Sequence, residues 1–230
     1  MYLLITLLAG ISAARAGYSG SFLDSAPSAT SLGKRSLPVD ACGNVGVPYG
    51  SNMFLISDDD VPKYKYTITV VGSDTDDYRV GMWNTCDEDH QPRSPRVTDV
   101  FPLQFTVPAG SRRSVAFDGG SHGGFVTFRS GSAIPHSAAG VVLGFWGEFV
   151  FAHESSDESS AFDVCAFEAL RAGRAQFSGL RIDGRDEVSF IATNLTSQAN
   201  AILSGDVATN HGCVLSSGPL SLVATVDYRG

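Results

Sequence analysis

Val141-Val142-Leu143-Gly144-Phe145-Trp146-Gly147-Glu148-Phe149-Val150-Phe151-Ala152 is the most apolar stretch downstream of the leader, and its reading decides the fold. Val141, Leu143, Phe145, Phe149 and Phe151 fall on one parity, and Val142, Trp146 and Val150 on the other. Successive side chains of a strand point to opposite sides of its sheet, so apolar residues on both parities describe a strand covered on both faces. Gly144 and Gly147 oppose a helix here, since each glycine in a helix interior costs about 1 kcal/mol relative to alanine. The stretch is expected at the centre of the core.

Outward from it, the chain alternates short apolar runs with clusters of Gly, Pro, Asp and Ser, the pattern of many short strands. Residues 64–71 place Tyr64, Tyr66, Ile68 and Val70 against Lys65, Thr67 and Thr69, one face dry and one wet. Residues 78–83 are expected as their hairpin partner across a turn-rich link. Residues 103–107 form a further strand, and residues 114–117 and 125–129 a second hairpin around the glycine-rich segment 118–124. Residues 188–193 and 220–228 complete the strands, the last with Leu220, Leu222, Ala224 and Val226 on one side. A helix is expected over residues 161–171, where Ser160 and Asp163 have capping-box spacing, although Phe162, Val164 and Ala166 also alternate as in a strand. The fold class is therefore all-β, a β-sandwich in preference to a barrel, with at most one short α-helix.

The chain opens with an apolar run over residues 2–11 and the small-residue pattern Ala14-Arg15-Ala16, a signal peptide with cleavage expected after Ala16. The run is about half the roughly 20 residues a membrane-spanning helix needs. Residues 17–35 are rich in Ser, Ala and Gly and end at Lys34-Arg35. Such a segment buries too little to fold alone, and its dibasic end resembles the recognition site of a kexin-type processing protease. The expected organisation is a signal peptide over 1–16, a disordered pro-segment over 17–35 and a single β-rich domain over 36–230. The product would be secreted.

Removing residues 1–35 takes away Arg15, Lys34, Arg35 and Asp24, so the formal charge moves from −8 to −10. An acidic body whose one basic cluster is Arg112-Arg113 has no footprint for nucleic acid or anionic membrane. Four cysteines, Cys42, Cys86, Cys165 and Cys213, lie beyond the leader, and an oxidising route favours two disulfides. Three pairings are open. Joining neighbours in sequence gives Cys42 with Cys86 and Cys165 with Cys213. None has C-x-x-C spacing, which removes the zinc and thioredoxin readings. Asn194-Leu195-Thr196 is a glycosylation sequon after an expected strand.

The candidates for chemistry each have a plainer reading. Gly119-Gly120-Ser121-His122-Gly123 matches G-x-S-x-G, but strand formers follow where a nucleophile elbow needs a helix, so it reads as a hairpin turn. His90, His122, His136, His153 and His211 have no metal-ligand spacing. The acidic groups Asp87-Glu88-Asp89-His90, Asp58-Asp59-Asp60 and Asp74, Asp76, Asp77 lack the glycine and distal glutamate of a calcium loop and read as solvated loops. Glu148 stands out, because desolvation within an apolar strand raises a carboxyl toward the range of a general acid. Trp83 and Trp146 are candidates to stack on a sugar or to fill the core. No cofactor, metal or catalytic set is assigned. The expectation is a secreted non-catalytic protein recognising an extracellular protein or carbohydrate, effector- or toxin-like, with a carboxylate-pair hydrolase acting on carbohydrate as the alternative.

Overall fold

Among the described residues, seven strands on each side of one apolar layer account for the alternating runs. The computed structural model describes residues 42–92, 101–153, 159–204 and 212–230. Ala16, Lys34, Arg35 and His211 lie outside them. The strands are β1 (Met53–Ile56), β2 (Tyr66–Val71), β3 (Tyr78–Asn84), β4 (Leu103–Val107), β5 (Arg112–Phe117), β6 (His122–Arg129), β7 (Trp146–Val150), β8 (Ser160–Cys165), β9 (Leu180–Gly184), β10 (Glu187–Ile191), β11 (Gln198–Ala199), β12 (Ala201–Ile202), β13 (Cys213–Leu215) and β14 (Leu220–Val226), with one short helix, α1 (Phe167–Arg171). The first sheet runs β1-β5-β2-β14-β9-β10-β11 and the second β12-β8-β7-β6-β3-β4, with β13 also on β8. The fold is a mostly β protein of two sheets, not a closed barrel.

The layer between the sheets is built from single parities of each strand. Tyr66, Ile68 and Val70 of β2 and Leu220, Leu222, Ala224 and Val226 of β14 face Tyr78, Val80 and Met82 of β3, Phe125 of β6, Phe149 of β7 and Phe162 and Val164 of β8 in one buried cluster. Aromatic contacts stitch the sheets: Phe117 meets Phe149 edge-on at 4.8 Å, and Tyr66 stacks on Phe151 at 5.0 Å. The outer face of the second sheet is buried too. There Trp83, Val126, Phe128, Trp146 and Cys165 pack beneath Phe101, Ile134, Val141, Val142 and Ile202. This second layer explains why both parities around β7 are apolar.

Several expectations need correction. Residues 141–152 are not one strand: β7 spans only Trp146–Val150, and Val142 bridges His136 in a link that folds back over the outer face. Neither expected hairpin forms. β2 pairs with β5 and, in parallel, with β14, whereas β3 pairs with β4 and β6. Likewise β5 belongs to the first sheet and β6 to the second. Alternation says which face of a strand is dry but not which neighbour it takes, and facing the two dry sides across the core buries both. The 118–121 link is a turn, closed by the Ser121 N–H on the Asp118 carbonyl at 3.3 Å and tied down by the Asn52 and Ala152 carbonyls, but it joins the two sheets instead of two paired strands. The expected helix over 161–171 divides, because Phe162 and Val164 are drawn into the core as part of β8, and the helix begins only at Phe167.

The cysteines form one disulfide, Cys42–Cys86, and leave Cys165 and Cys213 as buried free thiols. The second expected bridge is therefore absent, for a geometric reason. Cys213 pairs with Phe162, three residues from Cys165 along β8. Three residues of strand span about 10 Å and reverse the side-chain parity, so one thiol faces the core and the other the outer layer, beyond the roughly 7 Å Cα separation a disulfide tolerates. The native protein should show no thiol reactive toward a colourless disulfide reagent and the unreduced, unfolded protein two; none after unfolding would restore the second bridge.

Candidate functional site

The register of the second sheet sets Trp83, Gly124, Glu148 and Asp163 side by side across β3, β6, β7 and β8 on the outer face. Cross-strand neighbours hold their Cβ atoms about 5 Å apart, so Glu148 and Asp163 are direct neighbours. Val126, Trp146 and Cys165 form the next row. Gly124 makes room for the indole in this layer: a Cβ there would lie 2.7 Å from Cζ2 of Trp83. Trp83 in turn meets Trp146 edge-on at 5.3 Å. Glu168 of α1 is also buried, with an ion pair to Arg171 at 2.7 Å.

Glu148 and Asp163 are both fully buried, at 0% exposure. Neither makes a hydrogen bond of normal geometry through its carboxyl oxygens. Burial pushes the Glu148 carboxyl well up, with the neighbouring Cys165 thiol a weaker opposing influence. Burial also raises Asp163, and the adjacent Glu148 raises it further. Two like charges this close in a dry layer do not both ionise, so the pair retains a proton at neutral pH. The Cys165 thiol is pushed up by burial and by the carboxyls around it, and it is therefore a poor nucleophile.

The expected Glu148 candidate is thus found with a carboxyl neighbour that sequence reading had not singled out, because Asp163 fell within the expected helix. The FDVC alternation over residues 162–165 carried the missed signal. Two neighbouring carboxyls are what a glycosidase uses, but the sealed position of Glu148 and Asp163 gives a sugar no access. Trp83 and Trp146 fill the outer layer at 4% and 1% exposure and present no stacking platform.

The other candidates are accounted for locally. Ser121 of the G-x-S-x-G segment is buried, accepts from Asn52 Nδ2 at 3.0 Å and donates to the Asp118 carbonyl at 2.7 Å. Asn52 also bonds Asn84, so this trio is a structural knot beneath the disulfide. Asp87 accepts the backbone N–H groups of Asp89 and Gln91, closing its own turn. Asp58 bonds Arg112 and Ser114, which hold its carboxyl below the usual range, and Asp76 pairs with Arg129. Among the described residues, no three His, Cys, Asp or Glu side chains converge closely enough to hold a metal ion. No described helix is long and apolar enough to cross a membrane. Asn194 is exposed on a turn at the rim of an open depression of about 520 Å³ lined also by Arg129, Phe177, Ser178, Asp227 and Arg229.

The family model described as Allergen Asp f 4-like domain matches residues 51–226. The curated protein Allergen Asp f 4 of Aspergillus fumigatus is 31% identical over 190 residues, covering 81% of this chain and 58% of the relative, so this chain spans little more than half the relative's length. Among solved structures, the protein elicitor MoHrip2 from Magnaporthe oryzae aligns with a TM-score of 0.40 and 11% identity over 70% of this chain and 98% of that one. IP-1A from Alcaligenes faecalis aligns with a TM-score of 0.31 and 9% identity over 74% and 96%.

Proposed function

This chain belongs to the Allergen Asp f 4-like domain family, and on that premise we propose that it is a secreted, non-catalytic protein that acts by surface recognition of an extracellular partner, protein or carbohydrate. The observation that carries this reading is the sealing of the candidate chemical groups: Glu148, Asp163 and Ser121 are each at 0% exposure, so no substrate touches them in the folded protein. The apolar leader ending at Ala16, the Lys34-Arg35 site and the disulfide support passage through a secretory pathway. Cleavage after Arg35 would leave Ser36 as the first residue of the secreted protein. The relative of the same family is named an allergen, a name that fits a stable protein met outside the cell that makes it.

A second reading, a secreted carbohydrate-active hydrolase, is favoured by one observation, the side-by-side placement of Glu148 and Asp163. It requires a route to a pair that is closed in the folded protein.

Expression with its own leader in a filamentous fungus tests the secretory part. The product is expected in the medium with Ser36 as its first residue. A product starting at Gly17 would remove the pro-segment, and one retained in the cell would remove secretion. Recognition without turnover further predicts a saturable complex from which the partner is recovered chemically intact.

A further inference from the structure

We propose that Asn194 carries an N-linked glycan, an inference that rests on the secretory reading and adds a modification site to it. The sequon Asn194-Leu195-Thr196 lies in the turn between β10 and β11. The turn is built without the asparagine side chain: the backbone N–H of Asn194 donates to the Phe177 carbonyl at 3.0 Å, that of Leu195 to Ala192 at 2.9 Å, and that of Thr193 to Tyr228 at 2.8 Å. Thr193 Oγ1 completes the anchor, donating to the Tyr228 carbonyl and accepting from the Gly179 N–H. Asn194 and Thr196 are both exposed on this turn, and the Thr196 hydroxyl donates to the Thr193 carbonyl at 3.2 Å.

Asn194 has a second reason to be asparagine, since its φ of 58° lies in the left-handed region, where asparagine is enriched. The two reasons separate by substitution, because glycine keeps the backbone and removes the acceptor, whereas changing Thr196 removes the sequon and leaves the asparagine.

The modification is a group transfer from a polyprenyl-pyrophosphate-linked oligosaccharide. A bond forms between Asn194 Nδ2 and the anomeric carbon as the bond from that carbon to the pyrophosphate oxygen breaks. The polyprenyl pyrophosphate leaves with the electron pair, the Nδ2 proton passes to the transferase's base, and nothing is oxidised or reduced. The proximal sugars would rise over the depression containing Phe177, Arg129 and Arg229 and cover that end of the sandwich, directing partner contact to other faces.

The experiment expresses the full chain in a fungal secretory host as wild type, T196S, T196A and N194G, and analyses the protein from the medium before and after peptide-N-glycosidase treatment. Wild type and T196S are expected to lose mass on treatment and to convert residue 194 to aspartate, while T196A and N194G do not change. Wild-type protein that is secreted, free of its leader and unmodified at Asn194 overturns the proposal and leaves secretion standing. Failure to enter the secretory pathway, with the leader intact, overturns both. If N194G folds poorly, the T196S and T196A pair still decides the question.

Discussion

Raising the pH from about 4.5 to about 8 is expected to lower the melting temperature of the folded domain by roughly 10 °C. The cause is Glu148, whose carboxyl is raised from 4.5 to about 8 by burial in the outer layer. In the unfolded chain this group releases its proton near pH 4.5; in the folded protein it holds it until about 8. Between those values the folded state binds more protons, so its stability is greatest below the lower value and is lost progressively up to the higher one. The shift corresponds to at most about 5 kcal/mol, and rearrangement around the ionised group reduces this to a few. Asp163 shares the layer and is shifted in the same direction, so it adds to the trend. Asp58, held low by Ser114 and Arg112, acts in the opposite sense only as the pH falls through and below its usual range, outside this window. Thermal melts across the range, for wild type and for the double variant E148Q/D163N, check the account. Wild type is expected to lose stability toward alkaline pH and the double variant to be nearly flat. A wild type that gains stability from pH 4.5 to 8 would mean that the carboxyls are ionised in the native state.

Removing the disulfide with C42S/C86S should cost about 4 kcal/mol, again near 10 °C in melting temperature. The estimate follows from the 44-residue separation of the two cysteines, which the bond closes off in the unfolded chain. The effect should be local as well as global. Cys42 and Cys86 share a small apolar cluster with Val45 and Tyr49, apart from the two main layers. Beneath them Asn52 bonds the Asn44 carbonyl, Asn84 bonds the Val45 carbonyl, and Asn44 N–H bonds Gly120. Without the covalent tie, residues 42–52 are held by this polar knot, the Tyr49 hydroxyl on the Cys86 carbonyl and the small apolar cluster, and should become the first site of limited proteolysis. C165S is the control: its thiol sits in no bridge, so the variant should lose far less and keep the protease pattern of wild type. Equal losses in the two variants would contradict the assigned connectivity.

These predictions depend on features that the sequence disclosed unequally. The two-sided burial around Trp146 and Phe149 was legible because each parity carried its own large side chains, and the structure supplies an apolar layer for each. The one-sided pattern of Leu220, Leu222, Ala224 and Val226 was equally direct. Strand pairing was not legible. Tyr66–Val71 and Tyr78–Asn84 are consecutive and joined by a turn-rich link, yet the former pairs with β5 and with β14, some 150 residues later. Nothing local marks that parallel contact, since its information lies in the complementarity of two distant dry faces.

The acid pair was half legible. Glu148 drew attention as a charge inside an apolar run, whereas Asp163 was hidden by the helical reading of its surroundings. Cross-strand register between β7 and β8 then brought the two together, a relation that has no counterpart in sequence spacing. The same register separates Cys165 from Cys213 onto opposite faces, which chain order alone had placed together.

Contact in place of turnover is the claim on which the functional account stands, and a product assay against extracellular polysaccharides tests it most directly. The secreted protein, its E148Q variant and a heat-inactivated sample are incubated with β-glucan, chitin and pectin, and newly formed reducing ends are measured over time. The sealed carboxyl pair predicts the same baseline for all three samples, whether or not protein is retained on a polymer. Reducing ends that accumulate with wild type and disappear with E148Q would contradict it.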